Sequence, residues 1–225
     1  MKMKPVPLPE VGELIRGEPL KYAALIALGV TTGCRVTELL LLRRFDLLTP
    51  EGGLREIIRF RKLKTRRLAK KVPARGRPAK GRRESRSPGY DEGTAGRELE
   101  VPAGFREVVA DHLIAEELRG YDRPDDWVFR GSCGRHLSRQ TVYRHFRRAL
   151  GQGHGTHWMR KTFARAMVVE LEKELPEGEK HQATMLLQKA LGHVRLDSTL
   201  HYLETEERRI AAAQRAAFGG VLRCR

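Results

Sequence analysis

Near the C-terminal end stand a histidine, in Leu191-Gly192-His193, and a tyrosine nine positions further on, Tyr202. Two boxes upstream add cations and a second histidine: Thr32-Gly33-Cys34-Arg35-Val36-Thr37-Glu38-Leu39 and His157-Trp158-Met159-Arg160. Together they form a set of phosphate-handling groups that a structural core does not require. A tyrosine hydroxyl has a free pKa of roughly 10 and attacks only when cations and an acceptor help it lose its proton. Within this set Tyr202 reads as the nucleophile. Taken singly, His157 or His193 could be a satisfied core histidine and Tyr202 a packing residue; only as a set do these residues point to chemistry.

Arg35 stands in the tight corner between two apolar stretches. A guanidinium there is costly to desolvate unless it meets an anion, which suggests a buried or semi-buried phosphate clamp. Glu38, three residues on, shares its helix face and could hold that guanidinium, although a plain Arg35/Glu38 surface pair has the same spacing.

The elements that must carry these groups are mainly helical. Residues Met1 to Arg16 are proline-rich and read as an arm. From Glu18 on, Leu20, Ala23, Ala24, Ala27 and Leu28 recur at helical spacing until Gly33, where a glycine can close the helix; a second helix is expected from Cys34 to about Leu42. Arg55 to Arg61 looks like a strand after the turn Pro50-Glu51-Gly52-Gly53, and it runs into a basic tip holding Lys62, Lys64, Arg66 and Arg67. Between Arg75 and Arg97, Pro, Gly, Ser and Arg dominate without periodicity, which reads either as a solvated excursion or as a flexible basic arm tracking a phosphate backbone. Glu98 to Val101 resumes a strand that Pro102 ends.

Further on, Phe105, Val108, Val109, His112 and Leu113 make one helix face. Ser138 is expected to cap a helix through Leu150, with Val142 and Phe146 on its core side and Arg139, Arg144, Arg147 and Arg148 on the other. Four arginines with no acidic partner on that face suit a phosphate surface, although a charge run can also be a plain solvated face. Thr156 could cap the next helix, with His157 and Arg160 one turn apart. A helix from about Lys180 to Leu191 stops at Gly192 and leaves His193 in the turn beyond it. A short helix bearing Tyr202 and a last, Ala-rich helix from Glu206 to Ala217 are expected beyond it.

The 225 residues carry 44 Lys and Arg against 28 Asp and Glu, a net charge of +16 that points to a polyanion, nucleic acid by default. The three cysteines, Cys34, Cys133 and Cys224, have neither disulfide-scaffold nor zinc spacing, so no metal is expected. No run approaches the roughly 20 apolar residues that span a bilayer, and the first nine residues lack a signal peptide's apolar stretch. A cytoplasmic, nucleoid-associated protein with no membrane partner is therefore expected.

The ordered boxes around Arg35, His157/Arg160, Leu191-Gly192-His193 and Tyr202 resemble the tyrosine recombinase (phage integrase) family. The resemblance runs from about Glu18 to Glu207 and matches the catalytic half of that family. It implies a mainly α fold with a small antiparallel β-sheet, and it implies breaking and rejoining of double-stranded DNA through a 3′-phosphotyrosine, as in site-specific recombination or integration of mobile elements. By the same resemblance, Arg35 and Arg160 clamp the phosphate, His157 accepts the tyrosine proton and His193 donates to a phosphate oxygen. A lysine of the strand tip protonates the leaving 5′-oxygen; Lys64 is the choice over Lys62. The phosphotyrosyl ester conserves the bond energy, so no cofactor is expected. A tetramer on paired sites, joined through the C-terminal helix, is the implied assembly.

The chain reads as one domain over 1–225, with an arm at 1–17, the basic insertion at 75–97, and a C-terminal helix and tail at 206–225. No N-terminal core-binding domain is expected within it, so affinity would come from the basic face, the insertion or an accessory DNA-binding protein. A relaxing enzyme like type IB topoisomerases and a non-catalytic DNA-binding module remain the alternatives.

Overall fold

The computed structural model describes residues 4–60, 97–176 and 180–192. Lys62, Lys64, Arg66, Arg67, His193, Tyr202, the expected C-terminal helix and most of the expected insertion lie outside these residues.

The chain is built around a helix that is apolar on every side. Helix α2 (Leu20–Thr32) buries Ala23 through Val30 without interruption, the signature of a helix packed all round rather than on one stripe. Each of its fully buried Leu25, Ile26 and Leu28 side chains contributes roughly 1.5–3 kcal/mol relative to exposure. Before it lies α1 (Leu8–Gly17), where the sequence suggested an arm. Its prolines sit at the N-cap and in the first turn, positions that need no N–H donor, so they start this helix instead of preventing it. Val6 and Val11 are buried, and Val6 exchanges backbone hydrogen bonds with the Thr162 hydroxyl, its N–H donating at 2.9 Å and its carbonyl accepting at 3.0 Å.

Helix α2 ends at Gly33, whose φ of +60° is the left-handed conformation that lets its N–H reach the Gly29 carbonyl. After it come α3 (Val36–Leu40), α4 (Arg44–Leu47) and strand β1 (Ile57–Phe60). Strand β2 (Arg97–Glu100) pairs antiparallel with β1, Ile57 opposite Glu100 and Phe60 opposite Arg97. Ile58 and Phe60 are buried, while Arg59 and Glu98 pair across the other face at 3.0 Å. Arg97, expected in the insertion, is thus the first residue of the strand.

Helix α5 (Ala103–Glu117) follows Pro102 and packs on α2. Buried Arg44 ties α4 to its end, donating to the Leu113 carbonyl at 3.1 Å and pairing with Glu117 at 2.9 Å. Helix α6 (Arg139–Leu150) is capped as expected by Ser138, whose hydroxyl accepts the Thr141 N–H at 3.0 Å. Its core side is Val142 and Phe146, and Ala149 is exposed. Phe146 meets Trp158 edge-on, ring centres 5.6 Å apart, which joins α6 to the start of α7 (Trp158–Glu174). Residue His157, not Thr156, occupies the N-cap of α7, and no side chain caps it. Helix α8 (Lys180–Leu191) packs on α7 through Phe163, Ala164, Leu187 and Leu191. The mainly helical fold with one small antiparallel sheet is the class read from the sequence. No helix among the described residues is long and apolar enough to cross a membrane.

Candidate active site

Two glycines bring α2 and α7 into direct contact. A Cβ on Gly29 would sit within 3.0 Å of the Met159 thioether, and one on Gly33 would sit within 3.0 Å of the Phe163 ring. This approach sets the first turn of α7, with His157 and Arg160, beside the C-terminal end of α2.

Arg160 is 1% exposed. Its Nη1 donates to the Gly33 carbonyl at 2.5 Å and its Nη2 to the Leu191 carbonyl at 2.7 Å. Both acceptors close helices, α2 and α8, whose last carbonyls lack helical partners and carry the negative end of the helix dipole. These acceptors offset part of the cost of burying a guanidinium. They also fix the end of α8, and Gly192 beyond it has φ +64°, the left-handed turn expected before His193.

Arg35 occupies the N-cap of α3. Its side chain, expected in a buried or semi-buried clamp, is 45% exposed, and its guanidinium stands 3.7 Å from Glu38. At that exposure the cation can reach an incoming anion without first being uncovered. Glu38 does more than pair with it. Its carboxylate accepts the Arg35 backbone N–H at 2.6 Å and the Arg97 guanidinium at 2.9 Å, which fixes the turn from which Arg35 projects.

His157 is half-buried among cations. Burial, then the charges of Arg139, Arg160, Arg35 and Lys161, hold its pKa below the ordinary histidine value. It is therefore neutral at pH 7 and able to accept a proton. Arg139, at the start of α6, belongs to this field, and Arg144, Arg147 and Arg148 continue an exposed basic surface along that helix. Arg147 leans on Tyr143, donating to its hydroxyl at 3.2 Å. Cys34, in the same corner, is buried, and burial pushes its thiol up to about 12, so it is no nucleophile at neutral pH.

Of the residues singled out in the sequence, Arg35, Glu38, His157, Arg160 and Arg139 meet around the ends of α2 and α8. Lys62, Lys64, His193 and Tyr202 lie outside the described residues. Arg97 was missed; the alternation of its strand, which sets it on the inward face with Leu99 and Val101, was the available signal.

No protein-family model matches the chain, and no curated protein matches it. Solved structures do. The chain is similar to XerA recombinase (TM-score 0.59, 18% identity), covering 96% of this chain and 64% of that one. It is also similar to the Tn1549 transposon integrase in complex with transposon right-end DNA (TM-score 0.59, 17% identity, 95% and 66% covered). A lambda integrase dimer bound to a COC′ core site matches with TM-score 0.53 at 15% identity, over 92% of this chain and 50% of that one. The fold is that of the tyrosine recombinase catalytic domain. The chain spans less than two thirds of the length of each of these structures.

Proposed function

We propose that this chain is a site-specific DNA recombinase or integrase that cuts and rejoins strands through a covalent 3′-phosphotyrosine on Tyr202. The observation that carries the reading is the convergence of one buried and one accessible arginine, Arg160 and Arg35, beside a histidine that is neutral at pH 7.

In this reading Arg35 and Arg160 hold the non-bridging oxygens of one phosphodiester and stabilise the charge that grows there in the transition state. The Tyr202 oxygen attacks phosphorus and its proton passes to His157. The bond to the 5′-oxygen breaks, and Lys64 protonates that oxygen as it leaves; Lys62 is the second candidate. His193 donates to a phosphate oxygen. Rejoining reverses the steps with a 5′-hydroxyl as attacker, and no nucleotide is consumed because the phosphotyrosyl ester retains the bond energy.

Arg139, Arg144, Arg147 and Arg148, with Arg66 and Arg67 of the strand tip, serve the DNA backbone. The working assembly is a homo-oligomer, a tetramer on paired sites joined through the C-terminal helix, aided by an accessory DNA-binding protein and acting in the cytoplasm at the nucleoid.

The test is covalent capture. The protein is incubated with a pool of nicked duplexes of randomised sequence, without metal or ATP, and denaturation-resistant complexes are recovered. Wild type forms an adduct and Tyr202→Phe does not; DNA binding without an adduct by wild type would sink the reading.

A further inference from the structure

Arg160 is not alone in holding the end of α8. Arg97, the first residue of β2, reaches the same turn from the sheet and ties it to α3 and to Cys34. Its Nη1 donates to the Ala190 carbonyl at 3.0 Å, and its Nη2 pairs with Glu38 at 2.9 Å and lies 3.5 Å from the Cys34 sulfur. The side chain is 16% exposed and Glu38 is 11% exposed, so the pair is largely removed from water. Consecutive carbonyls of the last turn of α8, Ala190 and Leu191, are thus held by two different arginines. The backbone of Gly192 passes against the stem of Arg97: a Cβ there would lie 2.7 Å from its Cδ and 2.9 Å from its Nε.

We propose that Arg97 is a positioning residue that sets the Arg35 corner and the Leu191-Gly192 end of α8 at a fixed separation, an inference that rests on the strand-transfer reading above. Both of its Nη groups are engaged within the protein, with Ala190, Glu38 and Cys34, so in this proposal it acts through those groups and not on DNA. Through Glu38 it fixes the backbone N–H of Arg35, and through Ala190 it fixes the turn that precedes His193. A lysine would keep the charge but not the planar fork that serves acceptors on two segments at once. Geometry of this kind matters for rate because a displacement of about 1 Å at a reacting group can cost about 100-fold.

The experiment compares wild type, Arg97→Lys and Arg97→Ala in the full chain. Single-turnover adduct formation is measured on a nicked duplex recovered from the randomised pool, with DNA titrated to saturation. Hydrogen exchange of the Leu191 and Gly192 amides is followed in the same proteins without DNA. The expected result is a limiting rate about 10- to 100-fold lower in both variants, with half-saturating DNA changed by less than about 3-fold. Exchange at Leu191 and Gly192 should rise about 10-fold or more while α5 amides stay unchanged.

A wild-type rate and wild-type exchange in Arg97→Lys would overturn the inference. So would weaker DNA binding at an unchanged limiting rate, which would make Arg97 a DNA contact. If wild type itself forms no adduct, the strand-transfer reading fails, and the exchange data still decide whether Arg97 holds the end of α8. If Arg97→Ala does not fold, Arg97→Lys and Glu38→Gln, which removes the anion that Arg97 meets, carry the same comparison.

Discussion

Substituting Gly33 by alanine tests the junction from which the site is built. Two effects add. At φ +60° an alanine pays the left-handed backbone penalty of roughly 1–2 kcal/mol. Its Cβ would also lie 2.8 Å from Phe163 Cε1 and 2.9 Å from Cγ, so the buried ring must move, an overpacking cost of about 1–3 kcal/mol. A stiffer unfolded chain returns up to about 1 kcal/mol. The net loss is about 1–5 kcal/mol, which for a chain of this size lowers Tm by roughly 2–20 °C. Calorimetry and urea unfolding read it directly. The steric share is isolated by a double-mutant cycle with Phe163→Leu, where the coupling should be about 1–3 kcal/mol while the backbone share persists. Gly29→Ala is the control: its φ is not left-handed, it gains about 1 kcal/mol of helix propensity, and the flexible Met159 can yield, so it should cost less than Gly33→Ala. If Gly33→Ala lies within about 0.5 kcal/mol of wild type, or is simply additive with Phe163→Leu, the close approach of α2 and α7 has been misread.

His112 and His157 both titrate below the ordinary histidine value, each chiefly through burial. Unfolded chains then bind protons that the folded protein refuses, so stability is full above about pH 6.5, falls as pH drops toward the folded pKa values and levels off below them. For His112 alone the slope in that window is at most about 1.4 kcal/mol per pH unit, and His112→Gln should flatten it in urea unfolding series at pH 5 to 8. Ser138→Ala removes the cap of α6 and should cost about 1 kcal/mol in the same assay, since it leaves the Thr141 N–H without its 3.0 Å acceptor. In a chain carrying Cys133→Ser and Cys224→Ser, Cys34 should not react with Ellman's reagent at pH 8 until denaturant is added; rapid labelling of the native protein would contradict its burial and raised pKa.

What the sequence made legible follows from local rules. A glycine after an apolar helix marks a left-handed end, and Gly33 and Gly192 both have that conformation. Ser138 before an amphipathic run is a cap, and the stretch Arg55 to Arg61, where Ile57 and Ile58 alternate with charge, holds strand β1. Features set by tertiary contact were not legible in this way. Arg160 is buried because two helix ends, 127 and 31 residues away in sequence, converge on it. Arg35, read as part of a buried or semi-buried clamp, has a side chain 45% exposed at the N-cap of α3. Arg97 was assigned to the insertion because a strand's first residue, next to an Arg- and Gly-rich stretch, shows its face only once its partner Phe60 is known. The prolines that hid α1 occupy the only part of a helix that tolerates them.

The central claim is the nucleophile. Adducts captured on nicked duplex should be digested with protease and nuclease and the nucleotide-bearing peptide sequenced by mass spectrometry. The account predicts a nucleotide joined through its 3′-phosphate to Tyr202, lost in Tyr202→Phe. A nucleotide on any other residue, or an adduct that survives Tyr202→Phe, would contradict it.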